Sequence, residues 1–285
     1  MITKGIGTVA LGMQSLIDFE DITAHNLANV TTTGFKRTNV TFQDVMQANI
    51  QAQGSDKQYH NVGSLSNGAR VDRTYIDFSQ GALQETDYKL DMAIQGDGFF
   101  KIRYQDVQDN APYNENDYYY QRVGSFELTT DNYLINKEGD YVMDMENRRI
   151  RITRDPNVVT PEEMNRSDLT KDLVVSENGQ IQLCASDYQI NLQKIQICDF
   201  EDKTKVSGIG EGKYLPIYGQ NAGLYTKAEG TFSLQQGMLE MSNANTIREM
   251  LNSINISRGY ESMSNILKTQ SDTLKEAISL GSISR

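Results

Sequence analysis

The hydrophobic pattern of residues 1–30 is that of an amphipathic helix. Its apolar side chains recur at alternating steps of four and three residues. They are Ile2, Ile6, Val9, Met13 and Leu16. Glu20 and Thr23 occupy the next two positions of this stripe, and Leu27 resumes it. The spacing indicates either a helix that pairs with another helix along a seam or an ordinary surface helix on a globular core.

The first helix is predicted to end near Asn29. Three β-branched threonines follow, and Gly34 suits the left-handed conformation that ends many helices. Residues 36–70 are polar and irregular, and a period-two pattern typical of a strand runs from Arg70 to Phe78. We therefore expect residues 36–75 to form an extended arm or linker, which is unusual inside one compact domain.

Residues 76–239 have the pattern of short β-strands. Apolar runs are separated by Gly, Asn and Asp turns at spacings of about 8–12 residues, which is typical of an antiparallel sandwich or barrel. The predicted strands include 118–122, 125–129, 133–136 and 141–145. Two hairpins are expected, one joining 90–94 to 99–102 and one joining 173–175 to 181–183. Thr160 and Pro161 predict the start of a short helix.

A second amphipathic helix is predicted from about residue 243 to 280. Thr246 and Glu249 have the spacing of a capping box at its start. Its apolar positions lie on one face in the first turns and continue at heptad steps. They are Ile247, Leu251, Ile254, Tyr260, Leu267, Leu274 and Ile278. Ser264 and Ser271 lie in the seam between them and permit a close approach of helices.

These elements predict an α+β fold. The N- and C-terminal helices, residues 1–35 and 240–285, are expected to pair in a coiled-coil-like assembly domain. The arm at 36–75 connects it to a mainly antiparallel β-rich domain at 76–239. Because both helices carry apolar stripes that copies of the chain could share, the pattern favours self-assembly over catalysis.

The charge and hydropathy of the chain argue against nucleic acid and membranes as binding partners. The 285-residue chain has a net charge of −11. Nearly all of that charge lies in the middle, because residues 1–50 hold three basic and four acidic side chains and residues 240–285 hold five of each. An acidic middle argues against nucleic acid. The sequence also predicts no membrane insertion and no cleavable signal peptide.

The sequence suggests no catalytic, cofactor or metal site. His25 and His60 are the only histidines, which leaves little for a histidine-based triad or metal site. The loop 208–213 lacks the spacing of a phosphate-binding loop. Cys184 and Cys198 could form a disulfide, but two buried thiols are the favoured interpretation. A different class, a secreted β-rich binding module that uses Tyr118–Tyr120, stays open at this point.

Five blocks of the chain resemble the flagellar rod and hook protein family of bacteria. They are NLANVTTTGFK at 26–36, LDMAIQGDGFF at 90–100, YQRVGSF at 120–126, QGMLEMSN at 236–243 and RGYE at 258–261. Phe42-Gln43-Asp44 is similar to the distal rod branch of the family. A proximal rod paralogue and a hook-like subunit are the alternatives within the family.

The resemblance implies a structural subunit without cofactors that polymerises with itself into a helical tube and transmits torque from motor to hook. It implies contacts with other rod proteins, the hook protein, the rod cap and the outer-ring bushing. It also implies type III export without a cleaved signal peptide and a place in the periplasm-spanning basal body. The expected assembly-interface residues are Ile6, Val9, Met13, Leu16, Leu27, Asn29, Gly34, Phe35, Ile247, Leu251, Ile254, Tyr260, Leu267, Leu274 and Ile278.

Overall fold

The computed structural model describes residues 2–45, 48–53, 59–65, 68–107, 114–152, 172–185, 188–217, 219 and 221–283. Its long helices are α1 (Ile2–Ala28) and α2 (Thr246–Ile283). The strands are β1 (Thr38–Asp44), β2 (Ala48–Gln53), β3 (Tyr59–Leu65), β4 (Ala69–Ile76), β5 (Leu83–Glu85), β6 (Met92–Gln95), β7 (Phe99–Arg103), β8 (Tyr118–Gln121), β9 (Phe126–Leu128), β10 (Leu134–Asn136), β11 (Tyr141–Val142), β12 (Leu173–Val175), β13 (Gln180–Ala185), β14 (Tyr188–Lys194), β15 (Ile197–Phe200), β16 (Val206–Gly210), β17 (Lys213–Pro216), β18 (Leu224–Thr226), β19 (Ser233–Gln236) and β20 (Met238–Glu240). The predicted α+β class, with a helix at each end and mainly antiparallel strands between them, is confirmed.

The chain divides into two compact units, and neither is continuous in sequence. The helical unit comprises Met1–Ala28, Thr38–Tyr75 and Asn245–Arg285. The β unit comprises Asn29–Arg37 and Ile76–Ala244. The chain therefore passes four times from one unit to the other, and the segment 29–37 is an outlying piece of the β unit.

The helical unit is built on the packing of α1 against α2. Its strands pair as β1 with β4 and as β2 with β3. The side chain of Ser15 donates a hydrogen bond to the carbonyl of Ala69 in β4 at 2.9 Å. The side chain of Asn26 exchanges two hydrogen bonds with the backbone of Thr38 in β1. The first helix thus has α2 and the strand pair β1–β4 as neighbours.

The prediction that residues 36–70 are irregular is wrong, because most of the described residues of this segment lie in the paired strands β1, β2, β3 and β4. The strand pattern predicted from Arg70 onward is confirmed by β4. Strands β2 and β3 run antiparallel from Ala48 opposite Leu65 to Gln53 opposite Tyr59. Strand β2 alternates only Ala48, Ile50 and Ala52 with Asn and Gln, and β3 has no clear alternation, so the hydrophobic signal for both strands is weak. A ladder is held by backbone hydrogen bonds and needs no apolar face, and the sequence pattern misses such strands.

The β unit is organised around a nine-stranded sheet. Seven strands follow the order β16-β17-β8-β7-β11-β10-β9, and β15 pairs with both β7 and β18. The predicted strands at 118–145 and the hairpin of β12 with β13 are confirmed. The helix predicted at Thr160 lies outside the described residues. Buried apolar side chains of several strands form the main core, including Phe100, Ile102, Tyr119, Leu134 and Val142.

The predicted hairpin between 90–94 and 99–102 is wrong. Strand β6 pairs with β19, whereas β7 pairs with β8, β11 and β15. The connecting loop has Gly96 and Gly98 at φ of 98° and 137°. The guanidinium of Arg122 donates hydrogen bonds to the carbonyls of Ile94, Gly96 and Gly98. The loop therefore wraps around a buried cation and sends the two strands to different partners.

The two cysteines are unpaired and differ in exposure. Cys198 is buried, and burial raises the pKa of its thiol to about 11. Cys184 is exposed, so the expectation of two buried thiols is wrong for this residue.

Because only the exposed thiol has ready access to reagent, we expect one thiol per chain to react with Ellman's reagent at neutral pH in the native protein. Both should react in urea. The Cys184→Ser variant is the control, and rapid reaction of this native variant would contradict the expectation.

Candidate functional site

Helices α1 and α2 run antiparallel where they touch. Gly5 faces Gln270, Gly12 faces Met263, and Gly259 faces Leu16. Ser253 donates a hydrogen bond to the carboxylate of Glu20 at 2.7 Å. A polar stripe position thus has a partner on the other helix, and the glycines allow the helices to approach closely. Heptad regularity along the whole pair stays a prediction.

In the first turns of α2, the residues that turn away from solvent are not those predicted as assembly-interface residues. Glu249 and Ile256 are buried, while Ser253, Met263, Leu267 and Leu274 are partly buried. Asn245 caps this helix, because its side-chain oxygen accepts a hydrogen bond from the N–H of Arg248 at 3.1 Å. The predicted capping role of Thr246 is therefore wrong by one residue. Asn245 precedes the first turn and carries a stronger capping side chain than Thr.

Four large apolar side chains in the first turns of α2 form an exposed stripe, here called the α2 stripe. They are Ile247, Met250, Leu251 and Ile254, with exposed fractions of 71%, 49%, 55% and 48%. Their spacing at i, i+3, i+4 and i+7 puts them on one face of the helix. Three were predicted as interface residues, and Met250 was missed although its spacing fits. None of the four is buried within the chain.

The other predicted interface residues fall into three groups. Ile6, Val9, Met13, Leu16 and Leu27 are half-buried on α1, and Leu267 and Leu274 are half-buried on α2. Tyr260 and Ile278 are exposed on α2. Asn29, Gly34 and Phe35 belong to the β unit. The predicted set is therefore divided between both compact units and contains both exposed and partly covered side chains.

Gly34 begins a buried polar cluster in the β unit. Its φ is +67°, and a side-chain carbon on it would lie 2.6 Å from the side chain of Val123. Both the backbone and the close approach therefore require glycine. Its N–H donates a hydrogen bond to the carbonyl of Glu240 at 2.7 Å. The segment that follows α1 is thereby joined to the segment that precedes α2.

Two buried cations share the carboxylate of Glu240, and we call these three residues the ion triad. The ammonium of Lys36 lies 2.6 Å from one carboxylate oxygen, and the guanidinium of Arg122 lies 2.5 Å from the other. The exposed fractions of the side chains are 1%, 3% and 0% for Lys36, Arg122 and Glu240. Burial lowers the pKa of Lys36 although Glu240 opposes the shift. Lys36 also donates to the carbonyl of Ser79, and Gly81 donates to Glu240.

The side chain of Asn243 ties together three segments of the β unit. Its oxygen accepts a hydrogen bond from the N–H of Arg37 at 2.7 Å. Its amide nitrogen donates to the carbonyls of Asp77 and Ser79 at 2.7 and 3.0 Å, and to the Ser79 hydroxyl at 3.1 Å. Although burial opposes the shift, hydrogen bonds from Ser79 and Arg37 lower the pKa of Asp77. The sequence carried one signal for this cluster, because all four of its residues lie in blocks that resemble the rod and hook family. They are Lys36, Arg122, Glu240 and Asn243.

Within the described residues, no group of three His, Cys, Asp or Glu side chains is arranged to hold a metal ion. None of the described helices has the length and hydropathy needed to cross a membrane. The ion triad is closed by its own partners and has the form of a structural cluster.

Two family models match the chain. The model described as the flagellar hook protein FlgE/F/G D1 domain matches residues 93–183. The model described as the flagellar basal body rod FlgEFG protein C-terminal matches residues 235–280. The first covers β7–β12 and parts of β6 and β13, and the second covers β20, Asn243, the α2 stripe and most of α2.

Similar curated proteins include several named flagellar basal-body rod protein FlgG. That of Borreliella burgdorferi (strain B31) is 31% identical, with 95% of this chain and 96% of the relative covered. That of Bacillus subtilis (strain 168) is 29% identical, with 94% and 96% covered. The flagellar hook protein FlgE of Helicobacter pylori is 45% identical over 95 residues, which are 32% of this chain and 13% of that protein.

Proposed function

Because the chain belongs to the bacterial flagellar rod and hook protein family, we propose that it is a structural subunit of the distal rod that assembles with copies of itself into a helical tube. Nearly full-length similarity to relatives named as basal-body rod proteins supports a rod subunit over a hook-like one. The hook relative shares only part of the chain. The role is mechanical, in a family of structural proteins and not of enzymes.

The observation that carries the proposal is the α2 stripe. Its four large apolar side chains are exposed within the single chain. Complete burial of such a side chain contributes roughly 1.5–3 kcal/mol. A stripe at helical spacing that meets a different patch on the next copy gives a heterologous contact, and such contacts generate helical filaments. The stripe therefore supplies both attraction and direction for assembly.

The proposed arrangement places the helical unit of each copy in the wall of the inner tube and the acidic β unit on the outside. The helices pack in coiled-coil-like seams that involve the twelve predicted interface residues on α1 and α2, and the other three, Asn29, Gly34 and Phe35, take part in the interface from the β unit. Other rod proteins and the hook protein bind at the ends of the tube, and the rod cap and outer-ring bushing contact it. The subunit is exported without signal-peptide cleavage and lies in the basal body, where the rod crosses the periplasm and transmits torque.

Electron microscopy of the purified, concentrated protein tests this proposal. We expect tubes of constant diameter, and a large assembled fraction by sedimentation. Leu251→Asp should abolish assembly, because it puts a charge into the stripe that the next copy must cover. The free energy of unfolding of the unassembled Leu251→Asp chain should stay within about 0.5 kcal/mol of the parent, because Leu251 is exposed.

Asn178→Asp is the matched control. Asn178 is exposed in the β unit and not on α2, its side chain accepts a hydrogen bond that aspartate can also accept, and the substitution adds the same charge. It should assemble like the parent. Assembly of Leu251→Asp to the parental extent would contradict the role of the stripe, and a protein that stays monomeric at every concentration and with added tube fragments would contradict self-assembly.

A further inference from the structure

Three segments connect the β unit to the rest of the chain, and their hydrogen bonds converge on one side chain. The crossings between units follow Ala28, Arg37, Tyr75 and Ala244. The first segment, 29–37, has a crossing at each of its ends. The second segment begins at Ile76 and the third ends at Ala244, and each of these has one crossing. Asn243 hydrogen-bonds the first of these segments at Arg37 and the second at Asp77 and Ser79, and it lies in the third itself.

Further bonds join the same segments. We call Arg37, Asp77, Ser79 and Asn243 the clasp. The N–H of Asp77 donates to the carbonyl of Arg37 at 2.8 Å, and the side chains of these two residues form an ion pair at 3.3 Å. The ion triad adds a second tie nearby, since Lys36 contacts both Glu240 and the carbonyl of Ser79. All of these contacts lie within the β unit.

We propose that the clasp is the junction through which mechanical force enters the β unit. This inference rests on the proposed torque-transmitting role. Force on the helical unit reaches the β unit along the covalent chain, so it arrives at the connecting segments first. If those segments were separate, each would peel from the sheet one hydrogen bond at a time. Because Asn243 and the Arg37–Asp77 pair link them, several bonds must break together before any segment leaves.

The clasp therefore acts on the rate of unfolding under force. Forced unfolding is governed by the barrier to unfolding and not by equilibrium stability. Asn136 provides a comparison inside the sheet, because its side chain also makes four hydrogen bonds, to Tyr119, Gln121, Glu138 and Asp140. Asn136 lies in β10, far along the chain from the four crossings.

Optical-tweezers measurements on the full chain, held by its two ends, test the inference. In the parent, the β unit should unfold in a step whose released length corresponds to residues 29–37 and 76–244. Asn243→Ala should raise the rate of this step at constant force by about tenfold or more, because it removes four hydrogen bonds at the point of loading. To compare the variants, each unfolding rate under force is divided by the same variant's unfolding rate without force. By this ratio, Asn136→Ala should differ from the parent by a smaller factor than Asn243→Ala does.

Two further measurements keep the result interpretable. Ser79→Ala, which removes one acceptor of Asn243 and the side-chain hydrogen bond between Ser79 and Asp77, should raise the rate in the same sense by a smaller factor and serves if Asn243→Ala does not fold. The amide of Arg37 should exchange with deuterium faster in Asn243→Ala. Equal normalised sensitivity of the Asn136 and Asn243 variants to force would overturn the clasp. That result would leave tube assembly untouched, whereas failure of the parent to form tubes would contradict the proposed function itself.

Discussion

Replacing Glu240 with glutamine is expected to lower the free energy of unfolding of the β unit by about 3–5 kcal/mol, because breaking a buried ion pair leaves uncompensated charge in the interior. Glutamine has nearly the same shape, so packing is preserved. Its amide is neutral, however, and both Lys36 and Arg122 lose their carboxylate while staying almost completely buried. A side-chain nitrogen also replaces one of the two oxygens that accept from these cations.

Urea denaturation followed by near-ultraviolet circular dichroism of the buried tyrosines measures this change. Glu146→Gln is the control, because Glu146 forms an ion pair with Arg148 in which both side chains are more than half exposed. The control should change stability by no more than about 1 kcal/mol. A loss of less than about 1 kcal/mol for Glu240→Gln would show that the ion triad is not a major source of stability.

The sequence predicts the ends of the helices well because local chemistry sets them. Helix α1 ends at Ala28, just before the predicted Asn29, and Gly34 takes the expected left-handed conformation. The start of α2 is correct to within a few residues. The choice between Asn245 and Thr246 as the cap is a matter of one residue, and neighbouring polar side chains compete for that role.

The strands divide into a predictable and an unpredictable class. Strands that face the core, such as β8 and β10, have buried side chains and clear turns beside them. Strands β2 and β3 have no comparable hydrophobic signal. The partners of β6 and β7 could not be read from the Gly-Asp-Gly loop, because the cation that shapes this loop, Arg122, lies more than twenty residues further along the chain.

The candidate site shows the same limit more strongly. Lys36 and Glu240 are separated by 204 positions in sequence, and Arg122 and Glu240 by 118. Periodicity has no means of bringing such residues together. The recognised blocks mark each of them, yet only the fold reveals that one carboxylate serves two cations. The spacing of apolar residues in the sequence predicts most of the α2 stripe. Spacing alone does not distinguish the face of α2 toward α1 from the face toward solvent.

Ile254 and Ile256 turn that distinction into an experiment, because they are the same residue type two positions apart on opposite faces of α2. Ile256 is 5% exposed and Ile254 is 48% exposed. Ile256→Ala should destabilise the helical unit by about 2–5 kcal/mol, because it removes buried methyl groups and leaves a cavity. Ile254→Ala should change the stability of the single chain by no more than about 0.5 kcal/mol.

The order of effects should reverse in assembly. Ile254→Ala should raise the concentration needed to form tubes. Ile254 is buried only when a neighbouring copy covers the α2 stripe, so its truncation removes apolar burial in the tube and not in the single chain. Thermal melts of the helices by far-ultraviolet circular dichroism, and sedimentation of the assembled fraction, give the two readouts. If Ile254→Ala melts as early as Ile256→Ala, then the stripe is covered within the single chain. The face of α2 available to other copies would then have to lie elsewhere on the helix, and the assignment of the stripe to assembly would fail.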